Sequence, residues 1–415
     1  MKRLLMVAYH FPPLAGSSGI QRTLRFVQHL KDFGWEPTVL TVHPRAYERT
    51  SDDLMGEIPT GIPVERAFAL DTARHFSIRG RYPGFFALPD RWISWRFAAV
   101  SAGLRIIRDW KPQVIWSTYP IATAHVIGDV LQRRSGLPWI ADFRDPMAQE
   151  GYPPDPQVWR SYQKIEERAI LRSRFSTFTT PGAARTYKVR YPDAAKRIVV
   201  LENGYDEESF AGVADASVIR VPLNSGSLTL LHSGIVYPSE RDPTQLFAAL
   251  RQMVESGRLR QGKLKVRFRA PGHEDLLRTL TRANGLDDFV ELLPPVSYRA
   301  ALEEMVRADG LLLLQAANCN EQIPAKLYEY TRAGRPILAL TDPAGDTAAA
   351  VREAGLNTIA RLDSANEIAN LLARFLDSGR DGALPLPTPE YVERASRRGR
   401  TEALATLLDL ATTPQ

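Results

Sequence analysis

GLLLLQAANCNEQIPAKLYEYTRAGRPILAL, residues 310–340, decides the fold. Its opening, Gly310 to Ala316, is a short unbroken apolar run and reads as a buried strand. A polar loop follows. Pro324 suits the first turn of a helix, and Gly334 ahead of Pro336 ends that helix before PILAL resumes as a second buried strand. Within this strand, loop, helix, strand unit, Glu321 sits just before a helix N-terminus, where unpaired N–H groups and the helix dipole favour phosphate. Glu329 lies two turns along the same helix.

Outward from that unit the same grammar repeats. Toward the N-terminus, RLLMVAY, GIQRTLRFVQHLKDFG, EPTVLTV, QVIWSTYP, AHVIGDVLQRRSG and PWIADF alternate strand-like and helix-like patterns, as a parallel sheet covered by helices requires. After residue 225 the pattern restarts with LTLLHSG, a helix from about Asp242 to Glu255, KVRFRAPG, a helix from about Glu274 to Ala283, and FVELLP. Between the two sets the chain loses periodicity and gathers Gly, Asn, Asp and Ser, which is linker chemistry. The expectation is α/β: a first Rossmann-like domain over 1–202, a hinge over 203–226 and a second doubly wound domain over 227–387. The amphipathic helix within 388–412 comes too late to complete the second sheet.

Bulk properties narrow the function. The 415 residues suffice for two cores, with 44% hydrophobic and 24% charged residues. A single cysteine, Cys319, excludes an internal disulfide framework, and no run reaches the length of a membrane span, so the cytosol is the expected compartment. The net charge of +6 permits an anionic partner. Between Asp71 and Lys111, eight bases and three acids are interleaved with Phe85, Phe86, Trp92, Trp95, Phe97 and Trp110. Two readings fit: a helix at the inner membrane face with Trp92 and Trp95 toward lipid or acceptor, or aromatics in the core with solvated arginines. No nucleic-acid-binding signature is present.

In open parallel sheets, ligands bind at the carboxyl ends of strands. Gly16, Ser18 and Gly19, in HFPPLAGSSGIQR after the first strand, let backbone N–H groups approach a phosphate. They do not form the G-x-G-x-x-G of a dinucleotide enzyme, and the second strand ends at His43 and Pro44 rather than an acid. HSGIVYPSERDP offers Gly234 and Arg241. ADFRDP offers Arg144 and Asp145 beside Asp142; either Asp145 orients an acceptor hydroxyl or the three charges form a buried network. His125 lies one turn into a helix and is either structural or an acceptor contact. The histidines show no metal-ligand spacing, so no metal is expected.

The spacing Glu321-x7-Glu329 followed by a small residue, Gly, any residue and Pro, together with FPP-x-x-G-x-x-G-x-Q-R, resembles glycosyltransferase family 4. The resemblance spans nearly the whole chain and implies the GT-B fold, two Rossmann-like domains facing a cleft, with the terminal helix returning to the first. It implies a retaining, metal-independent enzyme that uses a nucleotide diphosphate sugar as substrate and needs no cofactor. In the roles so implied, Glu329 meets the ribose, Glu321 the sugar, Arg241 with Lys326 the diphosphate, and Gly272 and Val296 the nucleobase. Arg144 stands where many relatives carry a histidine, and Gln322-Ile323 replaces Gly-Phe. The expected acceptor is a glycan or lipid-linked sugar in surface polysaccharide assembly. A nucleotide-sugar 2-epimerase and a non-catalytic partner protein of the same shape remain the alternatives.

Overall fold

A computed structural model describes residues 1–413 apart from 18, 78, 80, 214–220, 381 and 383. The chain divides into two compact units, 1–203 with 397–415, and 204–396.

The first unit is built on a seven-stranded sheet. Its strands are β1 (Lys2–Ala8), β2 (Trp35–Val42), β3 (Val64–Ala67), β4 (Val114–Thr118), β5 (Trp139–Arg144), β6 (Phe175–Phe178) and β7 (Ile198–Val200), in the order β3-β2-β1-β4-β5-β6-β7. Every pairing is parallel. Both faces of β1 are buried: Leu5 and Val7 pack on one side, Leu4, Met6 and Ala8 on the other. The strand is therefore apolar without alternation. The Arg397–Thr412 helix covers the second of these faces, burying Leu404, Ala405, Leu408 and Ala411 among Phe26 and Trp116. Lys2 and Trp35 Nε1 both bond Asp409 of that helix, and Arg400 pairs with Glu202 at 2.6 Å.

The second unit holds β8 (Leu228–Ser233), β9 (Leu264–Arg269), β10 (Val290–Leu293), β11 (Gly310–Gln315), β12 (Ile337–Thr341) and β13 (Ile359–Ala360), all parallel, in the order β10-β9-β8-β11-β12-β13. The run GLLLLQ becomes the buried strand β11, with Leu312 and Leu314 in one core and Leu311 and Leu313 in the other. Gly310 is needed where it stands, since a Cβ there would meet the Phe375 ring at 2.7 Å. The helix after β11 runs Lys326–Ala333 and is closed by Gly334 at φ +66°. Pro324 lies two residues earlier, in the turn where Leu327 N bonds its carbonyl.

The stretch 203–226 is more structured than its composition suggests. Tyr205, Phe210 and Val213 are buried in a core of the second unit, and a short helix forms over Glu207–Phe210. Residues 388–412 form two helices rather than one. Pro389–Arg394 packs through Tyr391 on the second unit, while Arg397–Thr412 belongs to the first.

Candidate functional site

In each sheet the direction of strand addition reverses beside the strand that opens it. β1 lies between β2 and β4, and β8 between β9 and β11. The carboxyl ends of strands at such a reversal are where helices diverge to opposite faces and leave a crevice. The loops after β1 and β8 occupy these places, and each carries a group of charged side chains.

In the second unit the group centres on Lys326. Its Nζ lies 3.1 Å from His232 Nε2, and a Cβ added to Gly234 would sit 3.3 Å from that Nζ. Gly234 has φ +104°, so the loop requires glycine both for its backbone and for this approach. Arg241 donates from Nη1 to the Ile235 carbonyl at 2.7 Å, stacks over the Tyr237 ring at 5.1 Å, and has a buried Nε without a hydrogen-bond partner among the described residues. Burial, and then the nearby Arg241 charge, push Lys326 down to about 7. His232 is fully buried at the end of β8. Its Nδ1 lies 2.9 Å from the Leu312 carbonyl, which fixes the proton there and leaves Nε2 as the acceptor toward Lys326. Burial, followed by the Lys326 charge, holds this histidine well below its ordinary pKa.

The two glutamates differ in surroundings. Glu329, one turn beyond Lys326 on the same helix, accepts a 2.7 Å hydrogen bond from the Tyr298 hydroxyl. Glu321 is exposed in the loop after β11. The loops after β8 and β9 adjoin: Val236 N bonds the Pro271 carbonyl, and a Cβ on Gly272 (φ +76°) would meet Ile235 at 3.2 Å. Val296 is exposed after β10. Beneath these loops, Arg269 pairs with Glu304 at 2.5 Å and Arg267 with Glu291 at 2.8 Å, tying β9 and β10 to the Tyr298–Arg307 helix. Structure thus gathers Gly234, Arg241, Lys326 and Glu329, and adds His232 and Tyr298.

In the first unit, ADFRDP separates into two roles. Asp142 is fully buried and binds Arg22 through both oxygens, at 3.0 and 2.8 Å, with Thr118 and Thr177 also donating to it. Burial alone would raise this carboxyl, yet Arg22 beside it holds it below the ordinary range. Arg22 also reaches the carbonyls of Leu201 and Glu202, so the pair clamps the end of the unit. Asp142 is thus hydrogen-bonded to Arg22, while the Arg144 charge also acts on it and on Asp145. Arg144 has φ +63° and a buried Nε without a hydrogen-bond partner among the described residues. Its Nη1 and His10 Nδ1 stand at the N-terminus of the Gly19–His29 helix, within 2.8 and 2.4 Å of where a Gly19 Cβ would lie. Burial and then the Arg144 charge push His10 down to about 4. Asp145 accepts from Thr179 at 3.3 Å. Gly16 has φ +78°, Ser17 Oγ accepts from Gly19 N, and Ser18 lies outside the described residues.

Three expected acceptor residues need correction. His125 is 0% exposed, wedged between Trp139 and Phe143 with Nδ1 2.8 Å from Ser117 Oγ, so it is a core residue. Trp95 is likewise 0% exposed. Trp92 is half-buried, donates to the Ala46 carbonyl at 3.1 Å and packs on Tyr9 at 4.7 Å. Trp92 and Trp95 pack beside Tyr9 in the core of the first unit, and His125 enters the same core from the Ala122–Ser135 helix. His10 and His232 have no metal-ligand spacing to mark them in the sequence, although both stand at or just after a strand's carboxyl end.

Residues 18–204 match the family described as glycosyl transferase 4-like domain. The two parallel-sheet units have the GT-B fold of the solved structures that follow. Among solved structures, Anabaena HepE in complex with UDP and glucose aligns over 99% of this chain and 100% of its own, at 14% identity and TM-score 0.59. The lipopolysaccharide outer core galactosyltransferase WaaB aligns over 98% and 99% at 12% identity and TM-score 0.61. A glycosyltransferase from Rickettsia africae aligns over 100% and 99% at 11% identity and TM-score 0.62. No curated protein sequence matches this chain.

Proposed function

We propose that this protein is a glycosyltransferase that moves a sugar from a nucleotide diphosphate sugar, with retention of configuration and without a metal ion. The observation that carries the reading is the approach of Lys326 to Gly234 and of Arg241 to the neighbouring Ile235 carbonyl at the carboxyl end of β8, with Glu329 one turn along the Lys326 helix. A departing diphosphate develops negative charge, and two cations beside a glycine loop can neutralise it with no bound cation. Among the described residues no group of three His, Cys, Asp or Glu is placed to hold a metal. Glu329, oriented by Tyr298, takes the ribose hydroxyls, while Glu321 takes the sugar. The binding of UDP and glucose by HepE, a protein of the same fold, supports a donor of this class.

In the first unit, Arg144 and His10 at a helix N-terminus offer a further anion contact, and Asp145 is the group for an acceptor hydroxyl. The acceptor is a lipid-linked glycan presented at an anionic membrane surface. Phe97 is 74% exposed on the Trp95–Trp110 helix, beside a shallow groove bordered by Arg96, Arg105, Arg108 and Arg134. Among the described residues no helix is long and apolar enough to cross a membrane. A single assay tests the catalytic reading: nucleoside diphosphate release from UDP-, GDP- and ADP-sugars with and without EDTA, and the anomeric configuration of the product by NMR. Chelator-resistant release with retained configuration is expected; epimerised donor, inverted product or no turnover with any donor and glycan acceptor would overturn the reading.

A further inference from the structure

We propose that His232 is a positioning residue for sugar transfer: its Nε2 accepts a hydrogen bond from Lys326 Nζ and so aims the ammonium at the space over Gly234 where the donor's diphosphate binds. The inference rests on the donor site proposed above and adds to it the device that holds its cation in place.

The geometry is directional. Leu312 lies in the neighbouring strand β11, and its carbonyl oxygen accepts from Nδ1 at 2.9 Å, so the tautomer is set by a strand that cannot rotate away. The ring is also packed against Phe268 at 5.8 Å. Nε2 faces the loop and lies 3.1 Å from Lys326, and the ring also meets the Ile235 backbone of that loop. A lysine has four rotatable bonds, and without an acceptor its ammonium would sample many positions at an entropic cost to binding. A neutral imidazole suits the task better than a carboxylate. It takes one of the three ammonium protons without neutralising the charge, leaving two for phosphate oxygens.

The charged and titratable groups around this ammonium are few. Arg241, from the loop after β8, repels the proton on Lys326. Glu329, from the same helix, favours it. The Tyr330 hydroxyl accepts from Ser233 N at 2.9 Å and is raised by its burial, so it stays neutral. With burial dominant, Lys326 loses its proton near pH 7 in the unliganded protein. A bound diphosphate restores that proton, so donor binding takes one up, and affinity falls as pH rises above about 7. Without His232 as acceptor, the protonated form loses its partner and this fall moves to lower pH.

The test uses full-length protein carrying His232→Gln, His232→Asn, His232→Phe or Lys326→Met. The probe is whichever of UDP, GDP or ADP raises the wild-type melting temperature, titrated from pH 6 to 9. Gln keeps an acceptor near the Nε2 position, whereas Asn keeps only a donor toward Leu312. Glutamine is expected to bind within about twofold of wild type; asparagine and phenylalanine should weaken binding about tenfold, with the pH limb displaced downward. In turnover the loss should appear in KM for the donor more than in kcat. If His232→Asn binds as tightly as His232→Gln with the same pH limb, His232 does not position the lysine. That outcome differs from unaltered binding by Lys326→Met, which would remove the donor site itself. Should His232→Phe fail to fold, the Gln and Asn pair decides alone.

Discussion

At the scale of single residues, neighbours in sequence take opposite roles. Asp142 is locked by Arg22 inside the first unit, while Arg144, two positions on, turns at positive φ toward His10. Removing one member of a buried pair leaves an uncompensated charge, so Arg22→Met should cost about 3 to 5 kcal/mol in chemical denaturation. A cost under about 1 kcal/mol would mean that Asp142 finds another partner. Lys326 carries the opposite penalty. Its pKa is about 7 in the folded protein, against 10.5 for an ordinary lysine, so between these values the unfolded chain holds a proton that the folded one lacks. Stability therefore rises with pH across that window. The melting temperature of wild type relative to Lys326→Met should climb from pH 7 to pH 9.5; parallel curves would show that the lysine titrates normally. Glu329→Ala should weaken donor binding about tenfold or more, read by calorimetry, if the proposed charge-assisted hydrogen bonds to the ribose are made there.

Among elements, the loop after β8 is the most constrained. Gly234→Ala meets both a positive φ and the Lys326 ammonium, and is expected to abolish detectable donor binding while leaving the fold intact by circular dichroism. The Trp95–Trp110 helix carries the surface prediction. Phe97→Asp should reduce flotation with anionic vesicles at low salt about tenfold, since a ring of this size contributes that much when buried at the headgroup level. Unchanged flotation would exclude this face. Elements were legible in the sequence where they are apolar throughout. β1, β8, β11 and β12 stand out because both faces are buried, and Gly334 marks its helix end. β3, β7 and β13 did not stand out. They are two to four residues long at or near sheet edges, and β3 spells VERA, with its two charges in mid-strand. The grouping of Gly234 with Arg241 and of Lys326 with Glu329 was readable because each pair lies within one strand-end loop or one helix, and the resemblance assigns the roles. His232, Tyr298, Arg22 and His10 gain meaning only from partners that are distant in sequence, such as Leu312 and Glu329.

Over the whole molecule, two all-parallel sheets come from one chain, and its last helix belongs to the first unit. Leu404 and Leu408 of the final helix are fully buried with Phe26 and Trp116. At about 1.5 to 3 kcal/mol for each buried leucine, truncation before Arg397 should destabilise the first unit by several kcal/mol. The central claim is that the second unit binds a nucleotide diphosphate through Lys326 and Arg241. Its most direct test is calorimetric titration of UDP, GDP and ADP into wild type and into Lys326→Met and Arg241→Met at pH 6.5. At least one nucleotide should bind wild type and weaken tenfold or more in each variant. Equal affinity in all three proteins, or no binding of any nucleotide to wild type, would contradict it.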